Sequence, residues 1–197
     1  MSRTEYTSSP VQEDLKQAVA VLKKGGLILY PTDTVWGIGC DATNSAAVRQ
    51  VYALKGRDDH KALITLVGDI GMLERVVNDV PDVAYNLIEY SERPLTIVYD
   101  KGINVAPELM GDDGTLGVRV TREEFSSRLC RMLGRPLVST SANISGEPSP
   151  RVFSEISEEI RGGVDYICAS RRDENVPSLP STVMRLCGNG EFKVLRP

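Results

Sequence analysis

An α/β fold on a mixed sheet is predicted by three observations. Short apolar runs recur along the chain, and segments of helical period separate most of them. Several of those segments open on Ser, Asn or Asp, the residues that cap helices. The last two runs, Thr182 to Leu186 and Phe192 to Leu195, flank Gly188-Asn189-Gly190, a hairpin signal that makes the sheet mixed rather than purely parallel.

In chain order, Ser9-Pro10 caps a helix whose apolar face is Leu15, Ala18, Val19 and Leu22 and which Gly25-Gly26 stops. Leu27 to Tyr30 reads as a buried strand. Asn44 or Ser45 caps a second helix with Val48, Val51, Tyr52 and Leu54 on its face, and a strand follows at Ala62 to Val67. Helices are expected at Asp69 to Val76 and Asp82 to Glu89, then strands at Leu95 to Tyr99, Leu116 to Val120, Leu137 to Thr140 and Tyr166 to Ala169. Two further helices, Glu123 to Leu133 and Val152 to Ile160, lie between those strands. Neither Ser145 to Pro150 nor Val176 to Ser181 is long enough to divide the chain, so one domain over residues 1–197 is expected.

At 197 residues, 41% hydrophobic and 25% charged, the chain can bury a globular core. No apolar stretch approaches the roughly 20 residues of a membrane span, and Met1 to Tyr6 lacks the zones of a signal peptide, so no membrane and a cytoplasmic location are expected. The four cysteines, Cys40, Cys130, Cys168 and Cys187, are too dispersed for a metal or redox pair and read as reduced, packed thiols. A net charge of −4 argues against a protein that coats phosphate backbones, while leaving room for a local basic pocket.

Three polar clusters follow strand or helix ends, where open α/β sheets place their ligand loops. In Tyr30-Pro31-Thr32-Asp33-Thr34-Val35-Trp36-Gly37-Ile38-Gly39, two hydroxyls flank a carboxylate and glycines allow backbone to approach a ligand. It suits a small zwitterion such as an amino acid, with Val35 and Trp36 as walls; alone it is equally a turn. Lys55-Gly56-Arg57-Asp58-Asp59-His60-Lys61 puts three cations within seven residues, either a polyphosphate clamp or a solvated face. Ser139-Thr140-Ser141-Ala142-Asn143-Ile144-Ser145-Gly146 packs four hydroxyls and an amide into eight residues, enough to donate several hydrogen bonds to a ligand or to its own turns. Thr115, Arg119 and Ser181-Thr182 are weaker additions. The sequence has no GxxxxGK[ST], GxSxG, HExxH or kinase signature, and His60, the sole histidine, cannot support a Ser-His-Asp mechanism.

In combination these segments resemble the YrdC-like family, the threonylcarbamoyl-adenylate synthases. YPTDTVWGIGCDA is similar to its substrate loop, KGR to its KxR motif and STSANISGEPS to its SxN motif, and the likeness runs from about Leu15 to Val194-Leu195-Arg196-Pro197. The resemblance implies a twisted mixed sheet with flanking helices and a concave nucleotide-binding cavity, in the short single-domain form. It implies that Lys55, Arg57, Ser141 and Asn143 face the nucleotide phosphates, with Lys55 and Arg57 catalytic. Lys61, Thr115, Ser149 and Arg196 would add ATP contacts; Thr32, Thr34, Arg119, Ser139 and Ser181 would hold L-threonine.

The implied reaction joins L-threonine, bicarbonate and ATP, with Mg2+ accompanying the nucleotide and no metal site on the protein. Its product would pass to a tRNA threonylcarbamoyl-transferase complex for modification next to the anticodon. No general base is identified. The chain departs from the family pattern at Asp58, Ala62, Leu66 and Arg185, the last standing where an acidic residue is usual. Two other readings compete: a non-catalytic RNA-binding or ribosome-maturation module using the same basic cavity, whose RNA binding should be broad and salt-dependent, and carbamoyl transfer from carbamoyl phosphate as in larger hydrogenase-maturation proteins; weak RNA binding could also accompany the enzyme.

Overall fold

The computed structural model describes residues 9–56, 63–174, 180–187 and 191–197. Ser9 accepts a hydrogen bond from the Gln12 amide and Pro10 opens helix α1 (Pro10–Lys23), as the sequence signals. The side chain of Asn44 accepts from the amides of Ala46 and Ala47 to start α2 (Ser45–Lys55), and Gly56 ends it at φ 54°, a left-handed turn that glycine adopts without strain. Asp69 and Glu123 cap α3 (Ile70–Val76) and α5 (Glu124–Leu133) in the same manner, with α4 (Asp82–Tyr90) between them.

Nine strands form one mixed sheet: β1 (Ile28–Tyr30), β2 (Gly37–Gly39), β3 (Ile64–Val67), β4 (Leu95–Tyr99), β5 (Leu116–Val120), β6 (Leu137–Ser141), β7 (Tyr166–Ile167), β8 (Thr182–Leu186) and β9 (Phe192–Arg196). Their order is β7-β1-β2-β6-β3-β5-β4-β8-β9. The pairs β1–β7, β3–β5 and β4–β8 are parallel and the others antiparallel, which agrees with the expected mixed sheet. The expected final hairpin is present as the antiparallel β8–β9 pair, with its turn, 188–190, outside the described residues.

Two expectations need correcting. Gly37-Ile38-Gly39, read as a loop, is a strand bonded to β1 on one side and β6 on the other. A Cβ at Gly39 would come within 2.6 Å of the Tyr30 ring, so this glycine makes room for an aromatic neighbour rather than for a ligand. The single helix expected over Val152 to Ile160 is instead a 3-10 turn, Phe153–Glu155, followed by α6 (Glu158–Gly162). Ser157 begins α6 by accepting from the Ile160 amide at 3.4 Å, and it sits in an extended conformation that interrupts the longer helix.

Strand alternation separates the core from the site. Leu95, Ile97 and Tyr99 of β4, and Leu116 and Val118 of β5, are buried among the core residues. The intervening positions, Thr96, Val98, Gly117 and Arg119, line a cavity. Strand β6 pairs with β3 through Leu137 to Ser139 but with β2 through Thr140 and Ser141. Strands β2 and β3 lie on opposite edges of β6, so its hydroxyl-bearing end stays bonded on the β2 edge while running past the last β3 pair. Cys40, Cys130 and Cys168 are buried free thiols whose ionisation burial pushes far up, as the reading of packed, reduced cysteines expects.

Asp14 ties α1 to the end of the sheet. Its carboxylate accepts from Tyr166 Oη (2.7 Å), the amides of Ala169 (2.9 Å) and Ser170 (2.7 Å), and Ser170 Oγ (2.6 Å). Burial alone would raise this carboxyl, but the bonds from Ser170, Ala169 and Tyr166 outweigh it and leave it below the ordinary value. A carboxyl lowered in the fold contributes stability above its unfolded pKa of about 3.9 and loses it as pH falls below that value. Asp14→Ala should cost about 2–3 kcal/mol at neutral pH and progressively less below pH ~4, checked by denaturant unfolding at pH 7 and pH 3.

Candidate functional site

The cavity has a volume of about 290 Å3, near the lower end of the roughly 300–1,000 Å3 usual for small-molecule sites. It gathers Thr34, Val35 and Gly37 from the first polar cluster, Ser139, Thr140 and Ser141 from the third, Ser149 just beyond it, and Thr115, Arg119, Ser181 and Arg196 from the sheet and its turns. Its described lining holds no carboxylate and carries two guanidiniums, Arg119 and Arg196. Such a wall favours an anionic ligand with several acceptor oxygens.

The sequence brought Arg119 forward, and β5 places it on the cavity face, only 3% exposed. One terminal nitrogen donates to Ser139 Oγ at 3.2 Å, while Nε lies 3.2 Å from a carboxylate oxygen of Asp33. Asp33 went without a role in the sequence because nothing local links positions so far apart along the chain. Burial raises its carboxyl and Arg119 opposes that rise.

Arg196 reaches back from β9 to donate to the Ser181 carbonyl at 2.9 and 3.0 Å and to Ser181 Oγ at 3.2 Å. Burial, with the Arg119 charge as a second cause, lowers its pKa from the ordinary guanidinium value. Ser181 Oγ also meets Thr96 Oγ1 at 2.9 Å. Thr96 was missed, yet the signal existed: it is the polar residue inside the apolar run Leu95 to Tyr99, at an alternate position. Thr32 bonds within its own loop, to Thr34 Oγ1 at 3.0 Å and the Val35 carbonyl at 2.8 Å, so it shapes the turn that presents Thr34 and does not line the cavity itself.

Of the four residues expected to face phosphates, three come together. Lys55, 1% exposed at the end of α2, donates to the carbonyls of Ser141 at 2.5 Å and Asn143 at 2.6 Å. The Asn143 amide donates to the carbonyls of Ile144 at 2.9 Å and Glu147 at 2.8 Å, leaving its buried Oδ1 without a hydrogen bond. Arg57 and Lys61 lie outside the described residues, as do His60 and the departures Asp58 and Ala62. Thr115, expected on the nucleotide, bonds to Asp113 through its hydroxyl at 2.7 Å and its amide at 3.2 Å while lining the cavity. Arg185, the unusual cation, lies 3.2 Å from Asp113 and 3.3 Å from Asp100, so this chain accommodates it with two carboxylates beside the Thr115 turn.

Among the described residues no group of three or more His, Cys, Asp or Glu could hold a metal ion. No described helix is long and apolar enough to cross a membrane.

Comparison with known proteins adds to this geometry. A curated protein named Threonylcarbamoyl-AMP synthase from Idiomarina loihiensis is 37% identical over 147 residues, 73% of this chain and 79% of that protein. Another of the same name from Stenotrophomonas maltophilia is 38% identical over 156 residues, 78% of this chain and 84% of that protein. Among solved structures, P. abyssi Sua5 complexed with L-threonine superposes with a TM-score of 0.81 at 29% identity over 93% of this chain; the match spans 53% of the P. abyssi chain, about half its length. The Sua5/YciO/YrdC family, described by the words "Telomere recombination", matches residues 20–197, and the chain belongs to that family.

Proposed function

We propose that this protein synthesises L-threonylcarbamoyl-adenylate from L-threonine, bicarbonate and ATP, releasing pyrophosphate. The observation that carries the reading is a cavity whose described lining has no carboxylate, is rich in hydroxyls and is walled by Arg119 and Arg196, in a chain 37% identical to a Threonylcarbamoyl-AMP synthase. All three substrates are anionic or become so during the reaction, and such a wall neutralises them without repulsion.

Arg119 receives the threonine carboxylate through its terminal nitrogens, with Ser139, Thr34 and Ser181 offering hydroxyls around it. Bound this way, the deprotonated amine is free to form an N–C bond to the bicarbonate carbon as a C–O bond breaks and water leaves, giving the carbamate. The resulting carbamate oxygen attacks the α-phosphorus of ATP, forming a P–O bond as the bond to the β-phosphate oxygen breaks and pyrophosphate departs. Such an in-line displacement depends mainly on alignment and on offsetting negative charge.

The loop of Ser141 and Asn143, held by Lys55, meets the phosphates together with Arg57, and Arg196 and Thr115 border the nucleotide. Magnesium would accompany the ATP and offset phosphate charge; among the described lining residues, hydroxyls such as that of Ser141 are the side-chain oxygens that could help hold it. The product serves threonylcarbamoyl-adenosine formation in tRNA, reached through a separate transferase.

The test is a substrate-omission assay with purified protein, ATP, magnesium, L-threonine and bicarbonate, followed by mass spectrometry of the adenylate and by pyrophosphate release. Product that requires all three substrates is the expected result. Pyrophosphate released without threonine, or adenylate absent after rapid quenching of folded protein, overturns the assignment.

A further inference from the structure

We infer that Asp33 is a positioning residue for the carboxylate-binding edge of Arg119. The inference rests on the assignment of Arg119 to the threonine carboxylate and adds a group that does not touch substrate. Asp33 Oδ1 and Arg119 Nε are 3.2 Å apart, with side chains only 12% and 3% exposed. Each of those two atoms is buried without a well-aligned hydrogen bond, so what joins them is charge. Ser139 Oγ accepts from one terminal nitrogen on the other side.

Together the two contacts fix the plane of the guanidinium. A planar fork binds a carboxylate in two parallel bonds only when its terminal edge is aimed at it, so rotation about the long side chain must be suppressed before the ligand arrives. Asp33 stands where it can do this without competing for the ligand. Arg119 lines the hydroxyl-rich cavity, whereas Asp33 lines another, smaller cavity of about 150 Å3 with Pro94, Leu95, Val120 and Arg122. The carboxylate thus backs the guanidinium from behind the wall. That smaller cavity also has room for one more methylene, which makes Asp33→Glu a usable charge-retaining variant.

The experiment measures equilibrium binding of L-threonine and of L-threoninamide, which lacks the carboxylate, by calorimetry to the full chain, alongside the threonine and ATP saturation curves. Asp33→Asn should weaken L-threonine binding and raise its KM about tenfold, move L-threoninamide binding by less than about twofold, and leave kcat at saturating threonine and the ATP KM nearly unchanged. Asp33→Glu should recover L-threonine binding to within about threefold of the parent. If Asp33→Asn does not fold, the Glu variant decides alone: equal weakening of both ligands overturns the inference.

Equal weakening by Asp33→Asn, or threonine binding unchanged from the parent, overturns it as well, with the parent reading intact. Failure of the unmodified chain to bind L-threonine is a different result. It removes the carboxylate assignment itself, and this inference falls with it.

Discussion

Lys55→Met is expected to lower the unfolding free energy by about 3 kcal/mol and to reduce adenylate formation at least about a hundredfold. The variant keeps much of the side-chain length and removes the ammonium. In the parent, that ammonium donates to the carbonyls of Ser141 and Asn143 from a site 1% exposed. Without it, each carbonyl must find another donor or remain unsatisfied at about 1–3 kcal/mol. The main chain of Lys55 holds the same loop, since its carbonyl accepts from the Ser145 amide at 2.8 Å.

Loss of the ammonium therefore loosens the hydroxyl and amide loop at one of the points where α2 holds it. Denaturant midpoints measured beside turnover separate two roles. A variant as stable as the parent but inactive places the charge directly on the phosphates. A less stable variant with full turnover limits Lys55 to the fold, and a stable, active variant removes it from both.

Much of this was legible because the physics is local. Ser9, Asn44 and Asp69 announce helix starts through side-chain acceptors that any chain can use, and the apolar runs at Leu95 to Tyr99 and Leu116 to Val120 announce buried strands. Strand β2 was not legible: three residues, two of them glycine, carry neither alternation nor β propensity, and it is a strand because β1 and β6 supply its partners. The interruption of the helix at Ser157 was available in principle, since Ser is a capping residue, but periodicity through Ile156 and Ile160 outweighed it.

The candidate site divides in the same way. Hydroxyls clustered at the end of a strand, as at Ser139 to Ser141, and a cation at the end of a helix, as at Lys55, can be seen in a window of eight residues. Lys55 bonding to main-chain carbonyls near position 141, Asp33 backing Arg119, and Arg196 folding onto Ser181 depend on strand order. No window contains both partners. Residue type could suggest that Arg119 binds a carboxylate; only the sheet shows that it already faces one.

That pairing makes the Arg119→Ala variant the second large effect. Threonine saturation should shift at least about a hundredfold while the ATP KM moves less than about threefold, because under the proposed assignment the lost group is a bidentate carboxylate donor rather than a phosphate contact. Stability should also change, in a pH-dependent way. Burial raises the Asp33 carboxyl, the Arg119 charge opposes the rise, and the nearby Glu123 charge adds to it. Without Arg119 the rise is unopposed by its strongest counter-charge.

A carboxyl whose folded pKa exceeds its unfolded value binds more protons in the native state, so stability falls as pH climbs from about 3.9 through the raised folded value. Arg119→Ala should therefore lose about 3–5 kcal/mol near neutral pH, where the buried carboxylate must be either charged and unpaired or protonated at a cost, and distinctly less near pH 4. Urea unfolding of parent and variant at the two pH values checks this. An equal loss at both would mean that Arg119 contributes by packing, and that the Asp33 carboxylate finds compensation elsewhere. Adding Asp33→Asn to Arg119→Ala supplies the deciding comparison: it should restore stability at neutral pH without restoring threonine recognition, since it removes the unpaired charge and leaves the ligand's own carboxylate without its guanidinium.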